Sequence, residues 1–224
     1  MSEGMFYVCY IAENEEHILF ESSLRTILPY AKKVIVIDGK SSDSTVELVE
    51  KVCGSKAIIV SSPYPHSLKG ADGIQRNKYL KHVPDGEWVL VLDPDEVPDD
   101  DLSKLSSLMS SPYDGFNLRM EHFYYNLSKL DNSIPEHFVP LRFFKKSEAS
   151  EYPETEHNVL TGCGSIANTN AVTVWHFGDA KIVTQWYKKY RNNLLKSNIH
   201  NKEQVEQWLM LRITGKYPLK EFLD

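Results

Sequence analysis

The chain has no long apolar run: no segment approaches the ~20 consecutive apolar residues that a membrane span requires. Its N-terminus also lacks a basic region followed by a long apolar stretch, so neither an anchor nor a secretory leader is expected. Cysteine is scarce. Cys9, Cys53 and Cys163 are odd in number and far apart, and none sits in a close Cys/His set of zinc-ligand spacing. A reducing, cytoplasmic setting is the expectation, with any contact to a membrane being peripheral. Positive charge is in deficit as well, 25 Lys and Arg against 31 Asp and Glu for a formal net charge of −6. That balance argues against a broad electrostatic grip on nucleic acid or on an anionic membrane. No Gly-x-Gly-x-x-Gly follows an apolar run, and Gly39-Lys40-Ser41 after VIVI has Val34 where a P-loop carries its first glycine, which removes the Rossmann dinucleotide and P-loop readings. With neither an internal repeat nor a low-complexity linker, one compact domain over residues 1–224 is the economical expectation.

What is present is an alternation of short apolar runs with amphipathic stretches. MFYVCYI (5–11) reads as a strand, and residues 15–28 as a helix with Ile18, Leu19, Leu24, Ile27 and Leu28 on one side. VIVI (34–37) is a second strand, ending at Asp38-Gly39. In SSDSTVELVEKVCG, Ser44 or Asp43 is expected to cap a helix that Gly54 stops. AIIV (57–60) is a third strand, residues 74–82 a helix, and WVLVL (88–92) a fourth strand. Continuous apolar strands alternating with helices predict an α/β fold with a mostly parallel sheet covered on both faces. Aromatic-rich strands at 115–126 and 138–146 suit a small antiparallel extension. AVTVWHFG is a strand ending at His176, and two helices follow, one from about Lys181 and one over 202–213.

Ligands of such sheets bind outside the carboxyl ends of the strands, where Asp38 and the acids at 93–96 fall. In WVLVLDPDEVPDD a buried strand runs straight into carboxylates that repel one another. Such repulsion is tolerated where something positive belongs, most often a metal ion. Pro94 fixes its own φ and pushes Asp93 toward an extended conformation, so the two aspartates sit in a rigid turn. Hard cations such as Mg²⁺ or Mn²⁺ take oxygen ligands of this kind. The plainer alternative is a solvated acidic turn that caps a helix starting near Asp100.

CYIAENEEHIL, VIVIDGKSSDSTVELVE, GADGIQRNKYL and EWVLVLDPDE together, in that order and spacing, resemble a glycosyltransferase of the GT-A (nucleotide-diphospho-sugar transferase) fold, family 2, of the small SunS-like kind. The resemblance covers nearly the whole chain. It implies a nucleotide-binding half (1–100) and an acceptor-binding half (101–224) with C-terminal helices. The implied activity is metal-dependent, inverting transfer of a hexose-type sugar from a nucleoside-diphosphate sugar to a hydroxyl acceptor, which is a glycan, lipid, protein or small molecule. The divalent metal, Mn²⁺ or Mg²⁺, would be held by Asp95, with Asp93 on ribose or metal and His176 completing the site. Tyr10, Ala12 and Glu13 would line the nucleotide pocket and Asp38 would bond the base. Arg76, Lys189 and Arg191 would meet the phosphates, with Lys69 a further cation beside them.

An inverting transfer also needs a base for the acceptor hydroxyl. The matching stretch is YPETEHNVL, where Asn158 stands at the place of the expected glutamate. Glu156 is the first candidate, His157 the second and Glu154 the third. Phe123, Tyr124, Tyr125 and Trp175 are candidates for a wall on which an acceptor sugar stacks. For each position a plain structural reading stands beside the functional one: a turn aspartate at 38, a surface cation at 76, a structural histidine at 176, core aromatics. Two rival functions fit parts of the pattern. VLVLDPDEV suits an aspartyl-phosphate phosphatase, although that motif normally ends the first strand. Loss of the glutamate at 158 suits a non-catalytic nucleotide-sugar-binding module.

Overall fold

The computed structural model describes residues 4–99, 101–122, 140–154 and 159–177. By compactness the chain divides into two units, Met1–Glu121 with Pro135–His176, and His122–Ile134 with Phe177–Asp224. The first holds almost everything described below. The expected helices from Lys181 and over 202–213, and the ends of the strands expected at 115–126 and 138–146, lie outside the described residues.

In chain order the elements are β1 (Phe6–Ala12), α1 (Ile18–Ile27), β2 (Ala31–Asp38), α2 (Thr45–Cys53), β3 (Ala57–Ser61), α3 (Ala71–Leu80) and β4 (Trp88–Val91). They continue with β5 (Glu96–Pro98), a 3₁₀ turn at Leu102–Lys104, α4 (Leu105–Met109), β6 (Gly115–His122), β7 (Leu141–Lys145) and β8 (Ile166–His176). One eight-stranded sheet results, in the order β3-β2-β1-β4-β7-β6-β8-β5. β3, β2, β1 and β4 are parallel, whereas β7 and β6 are antiparallel additions, as the aromatic strands of the second half predict.

The parallel half reads apolar without interruption because both its faces are covered. Alternate residues of β1 serve opposite layers. Val8, Tyr10 and Ala12 pack with Phe20, Leu24 and Ile27 of α1 and with Val49 and Cys53 of α2. Cys9 and Ile11 pack with Ile35 and Ile37 of β2 and with Tyr79 and Leu80 of α3. α3 begins at Ala71, three residues before the predicted start, because Gly70 in the left-handed region (φ 72°) turns the chain into it.

One strand was invisible in the sequence. Glu96–Pro98 pairs antiparallel with β8, bringing Glu96 opposite His176 and Pro98 opposite Val174. Pro98 is tolerated because β5 is an edge strand. The geometry requires the sheet to curl. β4 and β5 lie four strands apart, ~19 Å on a flat sheet at ~4.8 Å per strand. Only four residues connect them, and Glu96 N–H donates to Asp93 O at 2.9 Å, closing those residues into a tight turn. The helix expected near Asp100 starts later, as the 3₁₀ turn that runs directly into α4, and is capped by Asp101, whose Oδ1 accepts from Ser103 N–H at 3.1 Å. Among the described residues no helix is long and apolar enough to cross a membrane.

Candidate active site

The carboxyl ends of β1 and β2 are fastened to each other by their loops. Gly39 N–H donates to Ala12 O at 2.7 Å, Asn14 N–H to Ser41 Oγ at 2.9 Å and Ser42 N–H to Asn14 Oδ1 at 2.8 Å. Asn14 and Lys40 both carry positive φ, 57° and 70°, so the two loops fold back sharply over the strand ends. Asp38 is buried and its carboxylate accepts from Lys40 N–H at 3.1 Å and Ser41 N–H at 3.2 Å. It therefore shapes the turn, whatever else it meets. Glu13 lies along Gly39, where an added Cβ would stand 2.8 Å from the Glu13 Cβ, and it pairs with His66 Nε2 at 2.8 Å.

Tyr10 and Ala12 do not present their side chains as lining residues. Both point into the layer beneath α1, because strand alternation sends them to the face that α1 and α2 cover. Tyr10 is fully buried and its hydroxyl meets Ser23 Oγ at 2.9 Å. Ser23 Oγ donates to Glu96 O at 2.6 Å, so Tyr10 is the donor in that short chain. Burial holds the Tyr10 hydroxyl well above the usual phenol range. The chain Tyr10, Ser23, Glu96 thus ties β1, α1 and β5 together directly beneath the acidic turn.

The turn itself is braced by two arginines. Arg76 Nη2 of α3 donates to Asp93 Oδ1 at 2.6 Å, and Arg142 Nη2 of β7 donates to Asp93 Oδ2 at 3.2 Å. Arg142 Nη2 also donates to Glu96 Oε1, while Glu96 Oε2 accepts from Asp93 N–H at 3.0 Å. Burial by itself raises the Asp93 carboxyl, but the two guanidinium groups outweigh it and hold the group well below the usual carboxylate range. Glu96 responds the other way. Burial pushes it up to about 7, with Asp93 adding to the rise and Arg142 pulling against it.

Arg76 is neither the surface cation nor an open phosphate contact that its helix suggests. Only 7% exposed, it lies over the Tyr152 ring, 5.8 Å from the centroid. Arg76 Nη1 and Arg142 Nε are buried with no acceptor among the described residues, so carboxylate charge fixes both side chains more than complete hydrogen bonding does.

Asp95 stands apart from this brace. It is 7% exposed, and its Oδ1 lies 4.0 Å from His176 Nε2. That separation is too long for a hydrogen bond, yet two ligands each ~2.1 Å from one Mg²⁺ or Mn²⁺ stand up to about 4.2 Å apart. An oxygen and an imidazole nitrogen suit such an ion. Asp93 does not fit as a third ligand, because both its oxygens are committed to guanidinium groups. Among the described residues no cluster of three or more His, Cys, Asp or Glu is arranged to hold a metal ion. The residues present therefore fit an ion with two protein ligands, its other positions left to substrate and water.

Next to His176, β8 is held by Asp99. Its Oδ2 accepts from Thr173 N–H at 2.8 Å and its Oδ1 from Trp175 Nε1 at 3.0 Å. Asp99→Ala removes both acceptors and is expected to destabilise the protein by about 1–3 kcal/mol, with loss of the Trp175 contribution to near-ultraviolet circular dichroism. Unchanged melting and an unchanged near-ultraviolet band would show that the indole is held by other contacts.

The other expected residues divide simply. Glu156, His157 and Asn158, the phosphate cations Lys189 and Arg191, and the aromatics Phe123, Tyr124 and Tyr125 lie outside the described residues. Glu154 is exposed and lines a groove beside Asn77 and Lys78 of α3. Arg142 was not anticipated as part of the site, and Glu96 was read only as one of the acids at 93–96, with no role of its own. Arg142 had a legible signal, since an arginine between Leu141 and Phe143 in an apolar strand requires a buried counter-ion.

A curled, mixed sheet flanked by helices, parallel in its first half and with an acidic turn at the end of its central strand, is the GT-A fold of nucleotide-diphospho-sugar transferases. Residues 8–172 match the family Glycosyl transferase family 2, and the chain belongs to that family. Among solved structures, S. aureus TarS 1-349 is similar at 16% identity and a TM-score of 0.57, over 98% of this chain and 76% of that one. A longer TarS structure matches at 16% identity and a TM-score of 0.53, and this chain spans 46% of its length. No curated protein sequence matches.

Proposed function

We propose that the protein is a metal-dependent, inverting glycosyltransferase that moves a hexose-type sugar from a nucleoside-diphosphate sugar to a hydroxyl acceptor. The observation that carries this reading is the meeting of Asp95 and His176 at the carboxyl ends of the sheet, beside an Asp93 already neutralised by arginine. The chain is a glycosyltransferase by family; the metal, the hexose and the stereochemistry are the proposal.

In this reading the loops after β1 and β2 receive the nucleoside, with Glu13 and the Asp38 turn at its edge. Asp95 and His176 would hold a divalent ion, which when bound withdraws charge from the diphosphate as the sugar leaves. Asp93 and Glu96 keep the turn in place, so that Asp95 does not have to reorganise when the donor arrives. Glu156, His157 and Glu154 remain the proposed bases, each suited by type to accept the proton of an acceptor hydroxyl. The proposed pocket cations Lys189 and Arg191 and the small SunS-like subtype rest on the sequence resemblance alone. An aspartyl-phosphate mechanism is disfavoured, because its nucleophile would have to be Asp93, whose two oxygens face guanidinium groups.

The test is nucleoside-diphosphate release from a panel of UDP-, GDP- and dTDP-sugars, with Mn²⁺, Mg²⁺ or chelator, in the presence of simple glycoside acceptors. Metal-dependent release with product of inverted anomeric configuration by NMR is the expected result. Tight donor binding with no turnover on any acceptor would instead favour a non-catalytic binding module. Phosphate-monoester hydrolysis without nucleotide binding would favour a phosphatase.

A further inference from the structure

We propose that Arg142 is a positioning residue for the acidic turn. It ties the carboxylates of Asp93 and Glu96 together, so that the two-aspartate motif operates as a single-carboxylate site with Asp95 alone set beside His176. The proposal rests on the nucleotide-sugar reading given above.

The turn at 93–96 carries three acidic side chains in four residues. Left to themselves they would repel one another and splay, and Asp93 would compete with Asp95 for any cation. The structure prevents both. Arg142 lies on β7 one residue before Phe143, the partner of Leu90 on β4, which places its side chain where β4 gives way to the turn. From there one nitrogen, Nη2, donates to Asp93 Oδ2 at 3.2 Å and to Glu96 Oε1. Glu96 Oε2 in turn accepts from the Asp93 N–H, and Glu96 N–H donates to Asp93 O. The first and last residues of the turn are thus joined through backbone and side chain alike, and Arg142 joins the two side chains.

Charge accounting gives the same answer. Arg76 and Arg142 supply two positive charges to the turn, and both are directed at Asp93 and Glu96. The Arg142 side chain is 13% exposed and that of Glu96 1%, so solvent screens the pairing little. Arg142 is also an unusual occupant of its strand, flanked by Leu141 and Phe143. Nothing in the packing of β7 asks for a cation there except the acids that it faces.

The test is calorimetric titration of nucleoside diphosphates with Mn²⁺ into wild type and Arg142→Met, well below the melting transition of each. The dissociation constant is expected to rise about tenfold in the folded variant, as for loss of a residue that orients a ligand without touching the ion. A merely structural role would lower the melting temperature and leave that constant unchanged, so the two readouts separate the roles. A rise of less than threefold in a folded variant overturns the proposal. Should Arg142→Met not fold, the same limit applies to the double variant with Glu96→Gln, which leaves no lone charge at position 96 but still removes the Arg142 contact from Asp93. If the wild type binds no nucleoside diphosphate with metal, the nucleotide-sugar reading falls and the proposal with it. If only the variant result fails, that reading stands.

Discussion

Asp95→Ala is expected to lose metal-dependent binding of UDP, GDP or dTDP by about a hundredfold or more, while melting within a few degrees of the wild type. A protein that supplies two ligands to an ion loses one of them outright, and a ligand counts for more than the orienting residues around it, whose removal costs about 10–100-fold. The fold tolerates the change because Asp95 lies outside the double-arginine brace: Arg76 and Arg142 meet Asp93 and Glu96. Titration of each nucleotide with and without Mn²⁺ measures the effect. Binding that survives in the variant would remove Asp95 from the metal assignment. Binding that is equally strong without any metal would remove the metal itself.

The second large effect is expected on stability. Arg76→Met leaves the partly buried Asp93 carboxylate, 26% exposed, without its shortest ion-pair partner, and breaking a fully buried pair from one side typically costs about 3–5 kcal/mol. For a chain of this size each kcal/mol lowers the melting temperature by about 2–4 °C, so a fall of about 6–20 °C is expected. Arg142 remains on Asp93, which places the effect toward the lower end. Tyr152 also loses the guanidinium that lies over its ring. The reverse experiment is informative: with Asp93→Asn added, the loss should shrink, because no lone charge is left behind. A single variant that melts within a degree of wild type would show that Asp93 is solvated and that Arg76 contributes nothing to the fold.

The parallel half of the sheet was legible because its strands are apolar on both faces, and a run such as VIVI has no other home. The acidic turn was legible for the opposite reason, as carboxylates at the end of a buried strand that demand an explanation. What the sequence hid was which positive group answers them. It pointed to a metal held by Asp95, with Asp93 on ribose or metal, whereas Asp93 is met by arginines from α3 and β7, 17 and 49 residues away along the chain. Distances of that kind are set by tertiary packing and leave no local periodicity. That the Tyr10 side chain belongs to the layer beneath α1 was not legible either, since both faces of a doubly covered strand are apolar. β5 was hidden because three residues ending in proline carry no strand signal; its pairing is supplied by β8.

The pairing of β5 with β8 also bears on how the molecule comes together. Glu96 meets His176, residues whose numbers differ by 80. Contacts of such separation carry a large loop-closure cost and form slowly compared with the local βαβ units of the first half. Asp95 and His176 are therefore brought within reach of each other only when the last described strand has docked between β6 and β5. A chain with β1 to β4 already assembled still has half of its candidate ion site missing, so competence to hold the donor should appear at the end of folding, together with the closing of the sheet.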